Sequence, residues 1–165
     1  MTFKELILFF LPFSILIYAF KIFLTNSILF YPGDILFALA IASISLISFN
    51  KVCYIYLFFT GLLRGLDLIN IEILMGLCFV GIGFLWEHFE RYFEIKNFES
   101  RLMLWFIILV IYEFVNLIIL LIFKLRTDIE FFIIINLLMH SFLNILLTYI
   151  CILFFYYLIK KLYLK

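Results

Sequence analysis

Apolar residues run along this chain in long stretches broken by short polar segments. A membrane-spanning helix needs roughly 20 residues at about 1.5 Å each. On that measure the pattern predicts six spans, over 6–24, 35–49, 52–69, 71–89, 102–123 and 131–158. The breaks carry turn chemistry. In "FYPGD", Pro32 and Gly33 make a turn and Asp34 can cap the next helix. "NK" at 50–51 marks a loop, and Asn70 can cap the fourth helix with Glu72 in its positive first turn. The third run starts at Val52 and would be too short if it stopped before Arg64, so it must continue to Ile69. The expected fold is a single all-α membrane domain over residues 1–165 with six transmembrane helices.

Composition removes the soluble alternatives. The 165 residues are 68% hydrophobic, 22% aromatic and 14% charged, and the mean hydropathy is +1.30. Soluble domains carry about 25% charged residues, and this chain lacks the polar surface to match. A net charge of +1, with no basic run beyond Lys160, Lys161 and Lys165, argues against a nucleic-acid partner. Cys53, Cys78 and Cys151 lie in apolar runs without pairing or metal spacing. Lys4 followed by an apolar run looks like a signal peptide, but no small-x-small cleavage site follows, and the segment reads as a retained first span.

Basic residues set the orientation. With six spans the termini share a side, which holds Lys4, Lys51, Arg91, Lys96, Arg101, Lys160, Lys161 and Lys165, eight in all. Lys21, Arg64, Lys124 and Arg126 make four on the other side, so both termini are expected in the cytoplasm, with Lys21 near enough to a helix end to snorkel. The longest hydrophilic segment, 86–101, is then cytoplasmic. Its aromatics Trp86, Phe89, Tyr92 and Phe98 recur at near-helical spacing among Glu87, Glu90, Glu94 and Glu99, as in a helix lying along the membrane surface or presenting a face to a partner. His88 lacks the Glu-x-x-His geometry of bundle metal sites, and no metal is expected.

Polar residues within spans are the candidate functional positions. Arg64 and Asp67 share a helical face near the outer interface and can pair. Gly61 and Gly65 form a Gly-x-x-x-Gly strip on the same helix, and Gly76 extends the small-residue theme on the next. Replacing either glycine of the strip by Leu is expected to disturb assembly more than Arg64→Ala. A deeper set comprises Glu113 and Asn116 on the fifth span and Asn136, His140, Asn144 and Thr148 at four-residue spacing on the sixth. Glu113 can hold two helices in register by bonding to that stripe, can belong to a substrate pocket or proton pathway, or can contact another membrane protein. No nucleophile elbow, His-x-x-x-His or phosphate loop is present, so no catalytic residues and no cofactor are expected. Asp34, Asp67 and Asp128 all fall near the outer interface in this topology. Two carboxylates there could activate water, but the Asn- and Gly-rich surroundings of the lipoprotein signal peptidase family are missing.

Three stretches carry a resemblance: "YPGDILFALAIA" opening the second span, "GLLRGLDL" closing the third, and "SFLNILLTYICILFFYYLIKKL" in the last. Over residues 30–165 the layout resembles MreD, the bacterial rod-shape-determining membrane protein family. In that family a Gly commonly stands four residues before the Asp, whereas here glycines stand six and two before Asp67. The resemblance implies a non-enzymatic scaffold of the cell-wall elongation complex in the bacterial inner membrane. Its partners would be MreC and, through it, the actin-like MreB, the RodA glycosyltransferase and a penicillin-binding transpeptidase of peptidoglycan synthesis. It also implies the six-helix fold of the substrate-binding subunits of energy-coupling-factor transporters. A vitamin-binding subunit of such a transporter is the alternative. Those subunits use an Ala-x-x-x-Ala strip on the first helix, and here Ala38-x-x-x-Ala42 lies on the second span.

Overall fold

The computed structural model describes residues 2–27, 34–46, 50–66, 71–93, 98–124 and 131–163. Every element among them is helical. A capping turn α1 (Phe3–Glu5) passes through a π-helical stretch (Leu6–Phe10) into α2 (Leu11–Ser27). There follow α3 (Ile35–Leu46), α4 (Lys51–Gly65), α5 (Glu72–Phe93), α6 (Phe98–Lys124) and α7 (Phe131–Tyr163). Among the described residues, four stretches are long and apolar enough to cross a membrane: Phe3–Ile22, Glu72–Tyr92, Phe98–Ile119 and Ser141–Leu162. They fit a multi-pass membrane protein, and their outward faces are rich in Phe, Leu and Ile.

The centre of the bundle is its shortest apolar helix. All residues of α3 from Ile35 to Ser45 are buried, with α7, α4 and α2 packed around it. A helix apolar on every side has no face to offer water and is buried all round. Ala38, Ala40 and Ala42 let the neighbours come close, while Ser43 and Ser45 spend their hydroxyls on the carbonyls of Leu39 (2.7 Å) and Ala42 (2.8 Å). Both ends of α3 meet a complementary charge. Asp34 Oδ1 accepts from the N–H of Phe37 at 3.1 Å, the N-cap that the turn sequence suggested, and Arg101 donates to the carbonyl of Ser45 at 3.1 Å. An anion at the positive end of the helix dipole and a cation at the negative end are each stabilising. The 12 residues of α3 rise only about 18 Å, well short of the hydrocarbon thickness.

The closest helix pair is the α4–α5 hairpin. Asn50 caps α4 through the N–H of Val52 at 3.0 Å. Near the turn, the two backbones touch at glycine. A Cβ on Gly61 would lie 2.6 Å from the Met75 carbonyl oxygen and 2.8 Å from Gly76 Cα, and one on Gly65 would lie 2.4 Å from Glu72 Cα. At the other end, Glu87 accepts from Tyr54 of α4 and from Arg91 one turn on. The expected interfacial segment 86–101 is helical through Phe93 and again from Phe98.

Candidate functional site

The N-terminus of α3 opens onto a buried set of charged and polar side chains drawn from five helices. Asp34 is 1% exposed, and its Oδ2 accepts from Arg64 Nε of α4 and from the Tyr112 hydroxyl of α6, both at 2.5 Å. Its own N–H donates to Thr148 Oγ1 of α7 at 2.8 Å. The Tyr112 ring is fixed by stacking on Phe37 (centroids 3.8 Å apart, planes 7° apart), with Phe79 edge-on to both. That packing aims the phenol at the carboxylate. Lys21 of α2, 5% exposed, lies within electrostatic reach of Asp34.

Beside this set, Glu113 of α6 accepts from Asn144 of α7 and from Asn116 Nδ2 (3.1 Å). Glu113 and Asn144 are both buried, and Asn144 Oδ1 has no hydrogen-bond partner among the described residues. Glu113 also feels the charges of Asp34 and Arg64, so the two sets form one electrostatic unit. The formal charges of Lys21, Arg64, Asp34 and Glu113 cancel. An isolated charge in a low-dielectric interior is costly, whereas a neutral, hydrogen-bonded set is tolerated.

The structure bears on three sequence readings here. Arg64 was expected to pair with Asp67; its carboxylate in the structure is Asp34, 30 positions away, and Asp67 lies outside the described residues. Lys21 was read as snorkelling from a helix end, but α2 continues to Ser27 and the lysine is buried. Asp34 was expected near the outer interface. Its partner Tyr112 stands 14 residues from Phe98 and 12 from Lys124 in α6, and its partner Thr148 stands 17 from Phe131 and 15 from Tyr163 in α7. Asp34 is therefore level with the middle of the two longest helices. Measured against the apolar stretches Phe98–Ile119 and Ser141–Leu162, Tyr112 and Thr148 each stand seven residues from one end, so Asp34 lies nearer that end than the centre.

Of the remaining expected positions, Gly61, Gly65 and Gly76 meet in the α4–α5 contact, and Glu113, Asn116 and Asn144 meet in the polar set. Asn136 and His140 fall on α7, their side chains outside the described residues. Tyr112 and Thr148 were not singled out as site residues. Thr148 did stand in the four-residue stripe of α7; nothing in the sequence marks Tyr112. Arg64→Ala would strand Asp34 inside the bundle, so it carries a cost of its own beside that of the glycine substitutions.

Comparison of the chain with protein-family models, characterised proteins and solved structures gives no match.

The polar set is built for holding. Asp34 has hydrogen-bond donors on both oxygens, and its bonds reach α4, α6 and α7. Tyr112→Phe deletes one bond to a charged acceptor without changing the ring stack. It is expected to cost about 1.5–3 kcal/mol, read as a lower denaturation midpoint of the detergent-purified protein.

Proposed function

We propose that this chain is a non-enzymatic scaffold of the bacterial cell-wall elongation complex, related to MreD. In this reading six helices span the cytoplasmic membrane with both termini inside, and the protein binds MreC and, through it, MreB, RodA and a penicillin-binding transpeptidase. The observation that supports it most is the meeting of the three stretches on which the resemblance rests. Asp34 from "YPGD", Arg64 from "GLLRGLDL", and Asn144 and Thr148 from "SFLNILLTYIC" converge on one buried polar unit. Such a unit sets the mutual positions of helices and leaves the outer faces for lipid and partners. The transporter reading has less behind it: Ala38 and Ala42, the one Ala-x-x-x-Ala pair, are 0% exposed inside the bundle and cannot dock another protein.

The test is affinity purification of the tagged chain from detergent-solubilised membranes of its host, followed by mass spectrometry. MreC and RodA are expected among the recovered proteins. Recovery of paired transporter ATPases without MreC, or a vitamin held through purification, would overturn the proposal.

A further inference from the structure

The exposed face of α5 carries a groove that the scaffold reading does not use. Ile73, Leu77, Gly81, Phe84, His88 and Arg91 follow one another at three- and four-residue steps, so they lie along one side of the helix. Ile73, Leu77 and Phe84 are 67%, 57% and 61% exposed. Gly81 interrupts this apolar stripe, and a Cβ built on it would touch nothing within 4 Å, so the stripe has a notch above Phe84. Below the notch opens a groove of about 530 Å³ lined by Phe84, Glu87, His88, Arg91 and Tyr92. Its polar end holds both signs of charge: Arg91 stands at the rim with its side chain 74% exposed, and Glu87 beneath it is 27% exposed. Glu87 accepts one bond on each oxygen, from Tyr54 and from Arg91, and a carboxylate has room for about four.

We propose that this groove is a specific site for a phospholipid whose headgroup carries a phosphate and a primary ammonium, the phosphatidylethanolamine type. The proposal rests on α5 spanning the membrane, and not on the identity of the protein's partners. The apolar window of α5 ends at Tyr92, which puts Arg91 in its last turn and His88 about one turn earlier, near headgroup depth, and the notch at acyl-chain depth. Arg91 matches the phosphate, for which guanidinium is the preferred partner. Glu87 matches the ammonium, which donates up to three hydrogen bonds, and the Tyr92 ring flanks it. An acyl chain then lies over Gly81 between Leu77 and Phe84. A trimethylated choline head cannot donate to Glu87, and a glycerol head brings no positive charge.

The test is native mass spectrometry of the purified full chain with added phosphatidylethanolamine, phosphatidylcholine or phosphatidylglycerol of matched acyl chains. Phosphatidylethanolamine is expected to be retained roughly tenfold better, the worth of one charge-assisted hydrogen bond. Glu87→Gln is expected to remove the preference over phosphatidylcholine, and Arg91→Ala to lower retention of all three lipids. Gly81→Leu fills the notch from a Cβ that stands in open space, so it is expected to lower retention without lowering the denaturation midpoint. Equal retention of the three lipids, a preference for phosphatidylglycerol, or undiminished retention in both Arg91→Ala and Gly81→Leu would overturn the site.

Discussion

Asp34→Ala is expected to destabilise the protein by about 3–5 kcal/mol, the usual cost of stranding one member of a buried ion pair. Three losses coincide. Arg64, buried between helices, is left without its carboxylate; the Tyr112 hydroxyl loses its acceptor; and α3 loses its N-cap. Asp34→Asn separates the cap from the rest, because its amide oxygen can keep the bond from the Phe37 N–H while its NH2 group can accept from neither Tyr112 nor Arg64. If the ion pair is the main term, Asp34→Asn retains most of the damage. The decisive measurement is a double-mutant cycle. Arg64→Met keeps the aliphatic bulk, and in the Asp34→Asn background it removes the cation that was bonded directly to the lost carboxylate. The double variant is expected to be more stable than the sum of the singles by at least about 2 kcal/mol, as befits residues in direct contact. Denaturant titration in detergent, followed by tryptophan fluorescence, reads this out. Additive effects would show that Asp34 and Arg64 are neighbours without being partners.

The same pair shows where sequence reasoning reaches and where it stops. That Asp34 caps a helix was legible, because a turn of Pro and Gly followed by Asp and an apolar run has one local solution. Its pairing with Arg64 was not. The only rule available from sequence is that residues three and four apart share a helical face, and that rule offered Asp67. Long-range pairing depends on where helix ends lie in depth. The residues described for α3 rise only about 18 Å, so its N-cap falls beside the interior of α6 and α7, and the polar residues of those longer helices at that level become its partners. Glu113, Asn144 and Thr148 were visible as polar letters in apolar runs. Tyr112 was invisible, since a tyrosine in a membrane helix carries no positional signal until the helix beside it is known.

The second large effect is expected at the glycines of the hairpin, where the chemistry was legible from sequence and the partner was not. Gly-x-x-x-Gly announces close backbone approach; only the structure identifies the approaching backbone as α5 of the same chain. Gly65→Leu is expected to abolish the folded monomer, because even its Cβ would lie 2.4 Å from Glu72 Cα, and backbone cannot yield as a side chain can. Gly61→Leu meets the Met75 carbonyl and Gly76 Cα and is expected to do the same. Gly76→Ala is expected to be intermediate, since its nearest obstacle is the ring of Phe58 at 2.9 Å, which can turn aside. Gly81→Ala is the control. It meets no atoms, and replacing a mid-helix glycine by alanine is expected to stabilise by about 0.5–1 kcal/mol. The ordering Gly65 and Gly61 worst, Gly76 next, Gly81 neutral or better is specific to contact between α4 and α5. Monodisperse yield on size exclusion and the denaturation midpoint measure it. If Gly65→Leu instead gave a well-folded monomer, the hairpin would have to open by several ångströms, and the Arg64–Asp34 pair, one residue away along α4, would have to move with it.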